Sequence, residues 1–318
     1  MSTQSENAST TSTLKEQWKP RIERFRRGWS RYTQHKMGVI GLIILVVYIL
    51  WALFPSVFAP HSLDWRAFTG TDQYARISLQ QQQQLPYPPV FGDPFFAPFG
   101  TTDDGVGVLT LLIYSTKTAL YIGFAAGLLS SLVGVPLGLI SGFYGDTWID
   151  EAIQRIVDVM YGLPFLPFLI VLVAVNGVNT TNIIIGIAVT SWLNNCILIR
   201  GETLSLKERA YIESARVAGA SDTRIVFRHI LPNVIPLAFV FLAQDAAGAI
   251  LAQASLAFLG YAPTNTHSWG VMLENVQANG HIFDAPWWLI PPGLAITSLA
   301  AAFYFIGFSV EDLANPQE

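Results

Sequence analysis

The chain has 318 residues, of which 52% are hydrophobic and only 13% are charged, about half of the roughly 25% charged residues usual in soluble domains. This composition excludes a disordered chain and argues against a soluble enzyme, whose surface would need more charge. The net charge of −4 gives no bulk attraction to nucleic acid, so no nucleic-acid partner is expected, and a single cysteine excludes an internal disulfide.

Six apolar stretches are each long enough to cross a lipid bilayer as a helix. The hydrocarbon core is roughly 30 Å thick, which needs about 20 residues at about 1.5 Å per residue. Because every backbone group must be hydrogen-bonded in lipid, the predicted fold class is all-α, a polytopic membrane protein with six transmembrane helices. The predicted spans are 37–58, 118–141, 157–175, 181–199, 232–259 and 286–310.

The distribution of lysine and arginine predicts the orientation of these spans. Residues 1–36 contain eight of them, and the stretch between the fourth and fifth predicted spans contains six. Only Arg66 and Arg76 fall clearly on the other side. Since cytoplasmic loops have an excess of positive charge, the N and C termini are both predicted to be cytoplasmic.

This orientation predicts the organisation of the chain. A cytoplasmic tail that includes a basic interfacial helix precedes the first transmembrane helix, and a long external segment with a run of glutamines follows it. A core with the other five spans and one long cytoplasmic loop comes next, and then a short cytoplasmic tail. The ranges in this order are 1–36, 37–58, 59–117 (glutamines 80–84), 118–313 (loop 200–231) and 314–318.

The loop 200–231 is the informative one, because it is polar and rich in helix-forming residues. Gly219 predicts the end of a short helix, and Ser221 with Asp222 can cap a second one. Pro232 falls in the first turn of the fifth span, where its missing N–H costs nothing. The pattern predicts a helix, a glycine turn and a second helix that continues into a membrane span. Such an elbow can transmit a push from a cytoplasmic partner.

The same loop carries a resemblance to a known family. Residues 208–233, ERAYIESARVAGASDTRIVFRHILPN, resemble the EAA loop of ABC importer permeases, and more narrowly the dipeptide/oligopeptide C-type subunits. Two other stretches are similar to the same subunits. They are GFYGDTWIDEAIQRIVDVMYGLPFL, after the second span, and ILAQASLAFLG followed by SWGVML and APWWLIPPGLAI near the C terminus. The resemblance covers residues 98–313 and the external segment.

This resemblance implies the type I ABC importer permease fold, with 118–313 as the permease core, in the inner or plasma membrane. It implies a homologous permease as heterodimer partner, two ATP-binding cytoplasmic subunits and an external solute-binding protein. ATP hydrolysis is expected in the partners, not in this chain. The expected solute is a di- or oligopeptide, with nickel chelates and oligosaccharides left open. The residues implied to dock against the ATPase are Glu213, Ser214, Ala215, Gly219, Ala220 and Asp222.

The chain also departs from the family pattern. Residues 100–107, before the second span, lack both arginines and two acids of the motif usual there. Ser214 replaces the middle alanine of the EAA motif. Gln244 and Asp245 occupy a part of the fifth span that is small and apolar in relatives.

Asp245 is the most informative single residue, since it lies near the middle of the fifth predicted span. An ionised carboxylate there costs on the order of 3 kcal/mol, so it should face protein or a water-filled cavity. One interpretation places Asp245, with Gln244 or Gln253, beside the solute path. The other is a protonated or hydrogen-bonded acid at a helix interface.

Two other functions compete with the importer permease. A secondary transporter or proton-linked channel would use Asp245 as its titrating group. A non-transporting membrane scaffold would be held by the basic N-terminal helix. The shape of the cytoplasmic loop argues against the first of these, and solute flux would argue against the second.

No catalytic, cofactor-binding or metal site is predicted. The chain has no G-x-x-x-x-G-K-[ST] loop for a nucleotide phosphate and no H-E-x-x-H metal motif, and its five histidines are scattered over both sides.

The remaining sequence patterns predict structural features. Gly134 and Gly138 indicate close packing or points of flexing. Gly162, Pro164 and Pro167 predict an interruption of the third span, either an opening beside a cavity or an ordinary kink. An ion pair of Arg155 with Asp158 is expected, and an outer aromatic belt with Trp269, Trp287 and Trp288.

Overall fold

The computed structural model of the chain describes residues 30–64, 86–89, 97–264 and 266–314. Most of the predicted basic tail 1–36, the glutamine run 80–84 and residues 315–318 lie outside them. Within the described ranges the regular secondary structure is helical, apart from one isolated antiparallel bridge between Thr101 and Gly107. The helices are α1 (Lys36–Leu53), α2 (Pro55–Phe58), α3 (Val108–Phe143), α4 (Trp148–Tyr161), α5 (Phe165–Asn176), α6 (Thr180–Lys207), α7 (Ala210–Val217), α8 (Asp222–Ile225), a π turn (Val226–Ile230), α9 (Leu231–Phe258), α10 (Trp269–Ala278) and α11 (Pro286–Ala314).

The predicted all-α membrane architecture is confirmed for the described residues. Five helical segments have the length and apolarity to cross a bilayer: α1, α3, α6, the continuous rod Asp222–Phe258 that contains α8 and α9, and α11. α4 and α5, whose axes meet at 90°, meet the same criteria only as a pair, which forms either a broken span or a re-entrant loop, so the described residues contain five or six candidate crossings. The third predicted span, 157–175, therefore has the wrong start, and the predicted interruption divides it. It is two helices joined at a sharp break.

Two helices extend beyond their predicted spans. α3 begins at Val108, ten residues before position 118, so it is longer by about 15 Å at a rise of about 1.5 Å per residue. α6 continues to Lys207, so 200–207 of the predicted cytoplasmic loop belong to this helix. The charged and polar residues of 200–207 stay helical because they lie on a regular continuation of an apolar helix, with Lys207 in its last turn.

α3 is the central helix and packs against α1, α6 and α9. Where it meets α6, Gly134 and Gly138 approach the α6 backbone very closely. A Cβ atom at Gly134 would lie 2.5 Å from the carbonyl oxygen of Trp192, and one at Gly138 would lie 2.6 Å from that of Cys196. Gly142 continues the row. The predicted close packing at Gly134 and Gly138 is thus confirmed, because only glycine lets the two backbones come so near.

The first turn of α4 is fixed to α3 and α6 by one buried carboxylate, Asp150. Nε and Nη2 of Arg200 donate hydrogen bonds of 2.7 and 2.6 Å to its two oxygens. The hydroxyl of Ser141 donates a third, of 2.5 Å, and the backbone N–H of Asp146 a fourth, of 3.2 Å. Two parallel bonds from a guanidinium are among the strongest pairings in proteins, so Asp150 sets the start of α4.

On the exposed face of α4, the structure shows a different ion pair from the predicted one. Arg155 lies 3.6 Å from Glu151 and makes its ion pair there, instead of with Asp158. The pairing is four residues apart with the acid N-terminal to the base, which is the favoured orientation on a helix.

The expected aromatic belt is wrong for Trp269 and Trp288, which are each only 1% exposed. α10 folds back against both α9 and α11, so these two indoles fill the space inside the bundle. Nε1 of Trp269 donates a 2.9 Å hydrogen bond to the carbonyl oxygen of Leu112. Trp287 is half-buried beside Gly100. Burial of the rings in the core outweighs their preference for the interface here.

Candidate functional site

A cavity of about 510 Å³ lies against the middle of α9. Its walls come from α4, α5, α6, α9 and α11, and the break between α4 and α5 forms one side of it. One carboxylate lies among several amides and hydroxyls in this lining. These polar residues are Asp245, Gln244, Asn194, Asn195, Ser191 and Thr190.

Asp245 is held at the cavity wall by an amide. Nδ2 of Asn195 donates a 2.6 Å hydrogen bond to Oδ2 of Asp245 and lies 3.3 Å from the hydroxyl of Ser130. These three side chains connect α3, α6 and α9 at mid-depth of the bundle. Among the described residues, no basic side chain forms an ion pair with Asp245. The carboxylate therefore has remaining acceptor capacity.

The structure brings together two of the three predicted path residues. Gln244 and Asp245 both line the cavity, whereas Gln253 is 4% exposed and is not part of the lining. Eight residues along a helix correspond to about 12 Å, with a rotation of about 80°, so Gln253 faces a different part of the bundle.

Sequence reasoning missed the α6 side of the cavity. Asn194 and Asn195 are two adjacent amides inside the apolar stretch 181–199. Like Gln244 and Asp245, they are polar residues inside a predicted membrane span. The same criterion, applied to the fourth span, would have identified them from the sequence.

The break between α4 and α5 opens the cavity wall. It falls at Gly162, Leu163 and Pro164, where Pro164 has an extended backbone (ψ 120°) and cannot continue α4. The predicted interruption of the third span is confirmed. The hydroxyl of Tyr161, the last residue of α4, donates a hydrogen bond to Oδ1 of Asn194 on α6. This contact fixes the end of α4 at the rim of the cavity.

The long loop forms the predicted elbow of helix, glycine turn and helix. After α7, Gly219 has a φ of +83°, a left-handed conformation that favours glycine. The side chain of Ser221 accepts a 3.4 Å hydrogen bond from the backbone N–H of Arg224 and so caps α8. The chain then runs through the π turn into α9 without interruption. We call α7, the Gly219 turn and α8 the elbow.

One face of the elbow is buried against the rest of the protein, and the opposite face is exposed. Ile212 and Ile225 are fully buried in one cluster with Phe143 of α3. The opposite face of α7 is exposed, and Val217 there is 86% exposed.

The residues implied to dock lie mostly on the outside of this elbow. Glu213 and Ser214 are exposed on α7, and Ala215 beside them is half-buried. Gly219 and Asp222 are exposed at the turn and at the start of α8, whereas Ala220 packs partly against the buried cluster. Their assignment as the surface that docks against an ATPase stays a prediction.

Comparison with known proteins gives the family. Residues 134–317 match the family described as binding-protein-dependent transport system inner membrane component, and residues 23–86 match the N-terminal TM domain of oligopeptide transport permease C. The dipeptide transport system permease protein DppC of Haemophilus influenzae is 34% identical over 293 residues, which cover 91% of this chain and 93% of that protein. The oligopeptide transport system permease protein OppC of Bacillus subtilis is 30% identical over 301 residues, which cover 94% and 90%.

A solved structure shows the same fold. A chain of the MetNI methionine ABC transporter, in an inward-facing conformation, superposes with a TM-score of 0.50 at 18% identity. The match covers 64% of this chain and 94% of that one. The cavity, the elbow and these similarities lead to one assignment. The chain belongs to the binding-protein-dependent transport system inner membrane component family, as a multi-pass inner-membrane permease of the ABC importer type with dipeptide- and oligopeptide-type relatives.

Proposed function

We propose that this permease is one half of the membrane pathway of an ATP-driven importer for di- or oligopeptides. Its partners are a related permease, two ATP-binding cytoplasmic subunits and an external solute-binding protein. The relatives are named dipeptide and oligopeptide permeases, which supports the solute class. The observation that carries the proposal is the continuous rod Asp222–Phe258, which joins the elbow to the cavity.

The rod gives a direct mechanical route between the two sites. Asp245 follows Asp222 by 23 residues, which is about 35 Å of helix at about 1.5 Å per residue. Because Ile212 and Ile225 pack in one cluster, α7 and the start of the rod move together. ATP-driven closure of the cytoplasmic subunits displaces α7, and the rod conveys this displacement to the cavity wall.

The proposed orientation places the elbow, the N terminus and the C terminus in the cytoplasm. If α4 and α5 together make one crossing, the resulting six crossings put both ends of the chain on one side, and the rule that cytoplasmic segments are rich in lysine and arginine selects that side. Glu213, Ser214 and Ala215 then belong to the docking surface. Gly219 supplies the turn that holds this surface at its angle.

The position of Asp245 also fits one alternative function. A mid-span carboxylate at a cavity wall is also what a proton-linked secondary transporter requires. That mechanism predicts uptake that follows the pH gradient and persists when ATP is depleted. The importer predicts the opposite dependence.

Purification in mild detergent tests the proposed assembly. A tagged chain taken from its native membrane should bring with it a second permease and the ATP-binding subunits in stoichiometric amounts. Recovery of this chain alone, from membranes that contain such ATPases, contradicts the proposal.

Reversing the charge of the docking surface tests the coupling. Glu213→Arg should abolish ATP-dependent uptake and reduce recovery of the ATP-binding subunits, because it changes an exposed side chain of α7. The amount of permease in the membrane should stay at the wild-type level, since surface substitutions have small effects on stability. Asp64→Arg, the same reversal at an exposed position of the predicted external segment, is the matched control and should leave uptake unchanged. Wild-type uptake by Glu213→Arg would exclude a coupling role for this surface.

A further inference from the structure

We infer that the cavity recognises the ammonium group of its solute, with Asp245 as the counter-ion. This inference rests on the proposed function, since it gives a chemical class to the solute that passes through the same cavity. It follows from three properties of the described lining: its charge, its aromatic rings and its lack of a metal-binding cluster.

The cavity lining contains an acidic side chain and no basic one. Among the described residues that line the cavity, Asp245 is the only carboxylic acid, and none is lysine, arginine or histidine. The hydrogen bond from Asn195 leaves acceptor positions on the carboxylate unused. A cationic solute supplies the missing partner, whereas an anionic one would meet like charge.

The aromatic rings favour an organic cation. Five of them line the cavity around this single carboxylate. The quadrupole of such rings attracts a positive charge over the ring face, and the combination of rings with an acid is typical of sites for amines. The rings belong to Tyr161, Phe165, Phe168, Phe241 and Tyr304.

The same residues argue against a metal ion. Within the described part of the chain, no group of three or more histidine, cysteine, aspartate or glutamate side chains could hold one. The amide oxygens of Asn194 and Gln244 are suited to accept N–H donors from an ammonium group and from a peptide bond. The volume of about 510 Å³ lies within the usual range for small organic ligands, so the amine end of a short peptide fits.

The charge preference is measured directly with a thiol placed in the cavity. Ser191→Cys introduces one with little change in volume, and the native Cys196 is fully buried, so the unsubstituted chain gives the labelling background. Native membranes that contain the full-length chain are treated with a trimethylammonium and a sulfonate methanethiosulfonate reagent. After correction for their reaction with a free thiol, the cationic reagent should label faster by about tenfold or more.

Three further variants assign this preference to Asp245. In the Ser191→Cys background, Asp245→Asn should bring the rate ratio close to one, and Asp245→Glu should keep it. Asp158→Asn is the matched control, because it removes an acid on the exposed face of α4 and should change nothing. A ratio of labelling rates near one in Ser191→Cys with Asp245 retained overturns the inference. A ratio that Asp245→Asn leaves unchanged also overturns it.

Peptide protection extends the test to the solute. Dialanine, with its free ammonium group, should slow labelling of Ser191→Cys, whereas N-acetyl-dialanine should not. Equal protection by both peptides overturns the inference. Labelling needs neither ATP nor transport. ATP-driven uptake without the charge preference therefore contradicts only this inference, and the charge preference without ATP-driven uptake contradicts only the proposed function.

Discussion

Asp150→Ala should destabilise the folded permease by about 1–3 kcal/mol, the usual cost of leaving buried hydrogen-bonding groups without a partner, since Arg200 itself is only partly buried. The substitution leaves the Arg200 guanidinium without the carboxylate that accepts its two hydrogen bonds of 2.7 and 2.6 Å. It also removes the acceptor for Ser141 and for the backbone of Asp146. The start of α4 then loses this polar connection to α3 and α6.

The neighbouring residue provides the control for this experiment. Glu151→Ala removes an acid one position later, but its ion pair with Arg155 is exposed, so the expected change is within about 1 kcal/mol. The measurement is the thermal unfolding of the purified chain in one detergent, followed by gel filtration of the material that remains folded. The double variant Asp150→Leu, Arg200→Met should recover much of the loss, because apolar pairs often replace buried ion pairs well. Equal unfolding of Asp150→Ala and Glu151→Ala would show that the pair is not structural.

Gly138→Ala should destabilise the chain by about 1–3 kcal/mol, the typical cost of overpacking. A methyl group at this position would lie 2.6 Å from the carbonyl oxygen of Cys196 and 2.8 Å from Cβ of Ile199. Both atoms belong to or lie next to the α6 backbone, so they cannot turn aside as a flexible side chain would. α3 and α6 must therefore shift apart at this contact.

A glycine-to-alanine substitution where there is free space should instead stabilise the chain. Gly201 lies in α6, and a Cβ atom there meets nothing within 4 Å. Gly201→Ala should therefore stabilise the helix by up to about 1 kcal/mol, because alanine has the higher helix propensity. Thermal unfolding in the same detergent compares the two variants. Equal midpoints would contradict the close contact of α3 with α6.

The parts of the fold that depend on local chemistry could be predicted from the sequence. Apolar length located the crossings, and Gly219 with Ser221 located the elbow, because a left-handed turn and a helix cap depend on single residues. The break at Pro164 was also predictable, since proline cannot continue a helix. Its angle of 90° was not, because it depends on how α4 and α5 pack on α6.

The parts that depend on contacts between distant segments could not be predicted. Asp245 was identifiable as a buried acid, but its partner Asn195 is fifty residues earlier and only packing brings the two together. Gln253 had the same chemistry as Gln244 and faces another direction. Trp269 and Trp288 had the composition of an interfacial belt, and the folding back of α10 buried them instead.

The π turn at Val226–Ile230 determines the helical phase between the elbow and the cavity. A π turn closes its hydrogen bonds over five residues instead of four, so it accommodates one residue more than a regular turn. Each residue of an α-helix corresponds to a rotation of about 100°. With a regular helix from Asp222 onward and the same elbow, Asp245 would point about 100° away from its present direction. The direction of the carboxylate thus depends on the extra residue that the π turn accommodates beside the elbow. Deletion of one residue from Val226–Ile230 would restore a regular helix and leave Asp245 facing the cavity.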